Sequence, residues 1–207
     1  EVDLIDGKYF DLEKIKSVIL EDKTIKMVHI QRSTGYSTRY SLHLDQIEEA
    51  IKLVKRLRED IIVFVDNCYG EFVDIKEPTD FGADLMAGSL IKNIGGGISP
   101  TGGYIVGKQD LVENASYRLT VPGIGGECGA TLGVMRTLFQ GFFLAPHVTM
   151  EAVKSSILCA RVMELAGFNA KPASNERRTD IVQTIIFGDK ERLIQFIKGI
   201  QFGSPID

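Results

Sequence analysis

The hydrophobic positions of this chain change period several times, and each change marks an element. Near-continuous apolar runs at Lys23–Gln31, Ile61–Val65, Asp84–Ala87 and Gly103–Val106 read as strands covered on both faces. Between the first two, Leu44, Ile47, Ile51, Val54 and Leu57 recur at the spacing of one helix face, and Asp11–Leu20 reads as an earlier helix after a short strand at Val2–Ile5. That order predicts an α/β fold, a mainly parallel sheet with helices on both faces. Downstream, "ECGATLGVMRTLFQGFFL" and "VTMEAVKSSILCARVMELAGF" predict two further helices. After the polar loop "NAKPASNERRTD", a strand "IVQTIIF" and a helix "KERLIQFIKGI" begin a separate small α/β unit. The expected organisation is a large domain over 1–147, a linking helix over 148–170 and the start of a small C-terminal domain over 171–207. Opening on Glu1 inside a strand and ending on "FGSPID", the chain reads as a piece of a longer protein.

Composition narrows the function classes. With 24 Lys and Arg against 28 Asp and Glu, and no basic cluster, nucleic acid and anionic membrane surfaces are not expected partners. The longest apolar runs, such as Gly141–Ala145, are too short to span a bilayer, and no signal peptide is visible. Cys68, Cys128 and Cys159 are widely spaced, as are His29, His43 and His147, so no metal site is expected and free thiols in a reducing cytoplasm are.

Candidate chemistry sits where the strands end. In an open parallel sheet, ligands collect beyond the carboxyl ends of the strands. Asp66 follows one apolar run, and Ser89 and Lys92 follow another, just before Gly95, Gly96 and Gly97. Gln31 and Arg32 end a neighbouring strand; Arg32 reads either as a surface arginine or as a guanidinium for a phosphate or carboxylate. A plain salt bridge between Asp66 and Lys92 is the alternative. An acid closing an apolar strand needs a cationic partner, however, and a glycine-rich bend beside the amine lets something bulky approach the backbone. A phosphorylated ring-nitrogen cofactor meets those demands, and pyridoxal 5'-phosphate (PLP) fits: lysine for its aldehyde, acid for its ring nitrogen, hydroxyl for its phosphate. The glycines match neither GxxxxGK[ST] nor GxGxxG. The Gly125–Gly129 loop reads either as a turn opening a helix or as a cofactor or subunit contact.

The stretch "VDNCYGEFVDIKEPTDFGADLMAGSLIKNIGGG", with "HIQRSTGYSTR" upstream, resembles the cofactor segment of the PLP enzymes of cysteine and methionine metabolism, nearest the methionine gamma-lyase-like or aluminium resistance branch. The resemblance implies Lys92 as the Schiff-base lysine and proton shuttle, Asp66 as the ring-nitrogen partner and Ser89 as a phosphate ligand, with Asn67 and Tyr69 near the ring. One departure is Ser89-Leu90-Ile91-Lys92, where better-known lyases carry Ser-x-Thr-Lys, so one phosphate hydroxyl is missing. The family's phosphate loop and ring-stacking aromatic would precede Glu1. The resemblance further implies an incomplete fold-type I large domain, a homodimer or homotetramer, and elimination of a sulfur substituent from a small amino acid. Aldol cleavage and transamination use the same residues. A non-catalytic fragment kept for oligomer contacts and an unrelated phosphate-ester binding domain are the alternatives from other classes.

Overall fold

The computed structural model describes residues 1–128 and 132–204. They form two compact units, 1–154 with 178–182, and 155–177 with 183–204 of the described chain. Both the boundary at 154 and the return of 178–182 to the first unit differ from the expected partition.

In the first unit, β1 (Leu4–Ile5) and β2 (Tyr9–Phe10) form a small antiparallel pair, so the expected first strand lies outside the main sheet. α1 (Leu12–Glu21) starts where the Asp11 carboxylate accepts the Lys14 N–H at 2.9 Å. The main sheet has the order β3 (Met27–Gln31), β4 (Ile62–Asp66), β5 (Leu85–Ser89), β6 (Gly103–Gly107). β3, β4 and β5 run parallel. β6 is antiparallel to β5, so the sheet is mainly parallel, as expected, with one reversed strand: the Leu90–Gly102 connection turns straight back instead of crossing over the sheet. Nor does a long helix join β4 to β5; a loop with one short turn at Pro78–Phe81 does.

Alternation decides what each face carries. Ile30, Val63 and Val65 point to one face, where α1 and α2 (Leu44–Leu57) cover them with Ile19, Ile47, Ile51 and Val54. Most of that core is 2 % exposed or less, so the helical periodicity read in the sequence is the packing face. His29, Phe64 and Asp66 point to the other face, where the His29 and Phe64 rings stack with centroids 5.0 Å apart. Ahead of β5, the buried Asp84 carboxylate accepts the Val63 N–H at 2.7 Å and pairs with Lys108 at 2.8 Å and Lys55 at 2.5 Å. One acid thus pins β4, β5, α2 and the end of β6 in register.

α3 (Gln109–Ser116) follows β6 and carried no pattern singled out in the sequence. The two helices expected after it are one, α4 (Met135–Leu165), running through Pro146. Pro146 supplies no N–H to the preceding turn, a cost of about 3 kcal/mol in a helix interior. Burial of Ala145 and Thr149 on either side offsets it. The first of these helices was expected from Glu127, but Glu127 and Cys128 are bends, 132–134 are turn and coil, and the helix begins only at Met135; Gly129 of the glycine loop lies outside the described residues. In the second unit, β7 (Asn169–Lys171) pairs antiparallel with β8 (Thr184–Ile186), and α5 (Lys190–Gly203) begins at the Asp189 cap. The strand expected at Ile181–Phe187 is shorter because Ile181 and Val182 belong to the first unit.

Candidate active site

The ends of β3, β4 and β5 bring the acid and the amine together. Gln31, Asp66 and Ala87 stand in register across the three strands, so Gln31 and Asp66 share one face at one edge. Lys92 is reached from Ser89 by a single turn, with the Lys92 N–H donating to the Ser89 carbonyl at 3.2 Å. Asp66 and Lys92 line the same open cleft of about 530 Å³, with Cys68, Tyr69, Gln31 and Ser33 among its walls. The Lys92 ammonium lies over the Tyr69 ring, 4.3 Å from its centroid. A second cavity, of about 570 Å³, opens between the β1–β2 pair and the helix-covered core and holds no acid–amine pair of this kind.

Local chemistry explains the arrangement. Asp66 Oδ1 accepts the Cys68 N–H at 3.1 Å, which turns the chain sharply off β4. Tyr69 then takes φ +71° and Phe72 φ +62°, left-handed positions that cost a side chain about 1–2 kcal/mol each. Contacts fix this strained loop: the Tyr69 carbonyl accepts the Ile181 N–H at 3.2 Å, and the Phe72 N–H donates to Glu77 Oε1 at 2.9 Å. Burial pulls the Lys92 amine down, but hydrogen bonding to the Cys68 thiol and the nearby Cys68, Tyr69 and Asp66 leave its pKa raised overall. Burial and the Asp66 carboxylate push the Cys68 thiol up, against the pull of Lys92. As it stands, the cleft holds an ammonium beside a neutral thiol.

The other candidates are placed differently. Ser89 ends β5 on the same face as Asp66 by strand alternation, but it does not line the cleft. Arg32 is neither at the surface nor at the cleft. It is fully buried, donating to Asn67 Oδ1 at 2.8 Å and Asp74 Oδ2 at 3.0 Å, with Glu77 Oε2 and the Thr179 hydroxyl also in reach. Asn67 belongs to that knot, donating to Glu77 Oε2 at 2.8 Å, and likewise turns away from the cleft. The reason is the sharp turn after Asp66, which sends Asn67 inward and leaves Cys68 and Tyr69 outside. Two of the three glycines beside the amine, Gly95 and Gly96, serve packing instead of leaving room for a ligand. A side chain on Gly95 would overlap the Leu90 carbonyl, and one on Gly96 the Gly141 carbonyl of α4, so those glycines permit close backbone packing. Cys68 and Ser33 were not singled out from the sequence; the signal for Cys68 was its place between Asp66 and Tyr69.

Comparison with known proteins decides the family. The sequence profile described as methionine gamma-lyase matches residues 1–207. The chain belongs to the methionine gamma-lyase family. It is 50 % identical over 206 residues to the uncharacterized protein YnbB of Bacillus subtilis (strain 168), covering 100 % of this chain and 48 % of that one. It is 24 % identical over 131 residues to the L-methionine gamma-lyase of Treponema denticola, covering 63 % of this chain and 30 % of that protein. A crystal structure described as a carbon-sulfur lyase involved in aluminum resistance, from Clostridium novyi NT, superposes with a TM-score of 0.93 at 60 % identity, covering 99 % of this chain and 48 % of the other. The chain therefore spans about half the length of YnbB and of the Clostridium protein. Among the described residues no helix is long and apolar enough to cross a membrane, and no cluster of metal-ligating side chains occurs.

Proposed function

We propose that this chain supplies the acid and the amine of a PLP-dependent carbon–sulfur lyase acting on a small sulfur amino acid. The observation that supports it most is a single cleft walled by Asp66, Lys92 and the Tyr69 ring. The residues present suit the cofactor. The cleft's volume of about 530 Å³ accommodates a pyridine ring with substituents, the carboxylate suits a ring N–H, and the amine suits an aldehyde. Ser89 is the phosphate hydroxyl in this reading. When bound, PLP supplies an electron sink for charge left on the substrate α-carbon.

The chain's own residues then have defined work. Asp66 as an anion holds a proton on the ring nitrogen and balances its charge. Burial favours the free amine of Lys92, the form that can attack a carbonyl and take the α-proton, while the Cys68 hydrogen bond and, to a lesser degree, Tyr69 and Asp66 favour the ammonium. Tyr69 limits where the amine can swing. Loss of a β sulfur substituent as a thiolate, which would take back the proton held on Lys92, would complete a β-elimination, and a γ-elimination would need the amine to remove a β-proton as well. We place the enzyme in the cytoplasm, on its three free thiols, and expect a homodimer or homotetramer. Borohydride treatment of the full-length protein loaded with PLP tests the reading. Reduction should fix the cofactor on Lys92, and Lys92→Ala should lose the adduct while keeping the circular dichroism of the fold. An adduct on Lys108 instead would overturn it.

A further inference from the structure

Glu71 is 2 % exposed, and its contacts reach the elements that set the cleft. Oε1 accepts the Tyr104 hydroxyl of β6 at 2.9 Å and lies so close to β5 that a side chain at Gly88 would overlap it. The Glu71 carbonyl accepts Asn93 Nδ2 at 2.9 Å, and Asn93 directly follows Lys92. Asn93 Nδ2 also reaches the Thr149 hydroxyl of α4 at 3.3 Å. Yet two oxygens of this buried joint, Glu71 Oε2 and Asn93 Oδ1, have no hydrogen-bond partner among the described residues. Both are acceptors. Unfilled buried acceptors are costly, and one donor between residues already in contact satisfies both.

We propose that Glu71 carries a proton on Oε2 and donates it to Oδ1 of Asn93, which makes Glu71 a positioning residue for the Lys92 turn. The inference rests on the reading of Lys92 as the functional amine. The surroundings fit a neutral acid. Burial pushes the Glu71 carboxyl up to about 7 and Glu77 adds repulsion, against hydrogen bonds from its own loop and Tyr104 and the Arg32 cation. Those are the titratable and charged groups that face it: Tyr104 from β6, Glu77 from its own loop and Arg32 from the end of β3; Asn93 and Thr149 are uncharged. Tyr104 keeps its own proton, since burial and Glu71 raise its pKa further. Below neutrality the joint is closed. As pH rises through the Glu71 pKa, the donor is lost, two acceptors face one another, and the Lys92 turn loosens.

Infrared difference spectra of the full-length protein, wild type minus Glu71→Gln, test the proton directly. A protonated-carboxyl C=O band is expected at about pH 6, fading with a midpoint near neutrality. Absence of the band at that pH, as a carboxylate bridged by water would give, overturns the proposal, and the wild-type titration alone answers this point whatever the variant's behaviour. The link to Lys92 is read by acetylation with acetic anhydride and peptide mass spectrometry, which needs no cofactor. The Glu71→Gln amide offers a permanent N–H in place of the acid proton, so the wild-type to E71Q labelling ratio at Lys92 should be near one under acid conditions and rise several-fold at about pH 8. A ratio that stays flat with pH overturns the positioning role. Failure of PLP to bind Lys92 would sink the proposed activity and leave both of these readouts standing.

Discussion

Replacing Asp66 by Asn keeps the shape of the side chain and removes its charge, which separates holding the cofactor from activating it. Loss of one close opposite charge moves a neighbouring pKa by at least a unit, about 1.4 kcal/mol. In the full-length protein, solvent deuterium exchange at the substrate α-carbon, followed by proton NMR, should therefore slow by at least about tenfold while the reducible adduct on Lys92 still forms. Exchange at the wild-type rate would remove Asp66 from the site. Glu71 gives a second prediction at this scale. Its folded pKa, about 7, lies above the ordinary carboxylate value, so the folded state binds the extra proton, and stability present at acid pH is lost as pH rises through that value. Glu71→Gln should accordingly melt above wild type at about pH 8, by an amount worth up to about 3 kcal/mol, and the gap should close toward pH 5. A gap that widens on acidification would contradict the sign. Asp66 and Lys92 were legible in the sequence because each follows the end of an apolar run, where side chains meet the ligand edge. Arg32 and Asn67 were not, because the turn made by Asp66 and the Cys68 N–H decides which residues go inward, and that turn carries no periodicity. Glu71 was illegible because its hydroxyl partner, Tyr104, is brought to it only by the pairing of β5 with β6.

Among the elements, the bend between Lys92 and Gly97 separates two uses of glycine. Gly96 has φ +62° and faces the Gly141 carbonyl of α4 at contact distance, whereas Gly97 has φ +73° and open space around it. Alanine at Gly97 therefore incurs only the left-handed backbone cost of about 1–2 kcal/mol. Alanine at Gly96 incurs that cost and an overlap, on the order of 3 kcal/mol in all. Urea denaturation of the two variants should rank them in that order, and the reverse order would mean that the helix does not approach the bend so closely. Helix and strand positions were readable from period alone for α1, α2 and β3 to β5. Direction was not: whether β6 continues or reverses depends on how the Leu90–Gly102 connection packs, and apolar strands look alike both ways. The continuity of α4 was hidden for a related reason, since Pro146 signals a break locally and the burial of Ala145 and Thr149 overrides it.

At the scale of the whole molecule, α4 leaves Phe139 68 % and Phe143 84 % exposed in the first unit. Large aromatic groups in water favour association, so light scattering on the full-length protein should report a dimer or tetramer; a monomer would withdraw the oligomer from the proposal. The short segment 178–182 has a different bearing, on how such chains can be recombined. Thr179 donates to the Leu42 carbonyl at 2.9 Å and meets Arg32, Asp180 takes the Ser41 hydroxyl, and Ile181 holds the Tyr69 carbonyl. Genetic exchange of the second unit between relatives is thus not a matter of one crossover after Lys154. A donor segment inserted there brings a foreign clasp onto the host's Arg32 and onto the loop that carries Tyr69, so a working chimaera needs two further junctions that return the host's own 178–182.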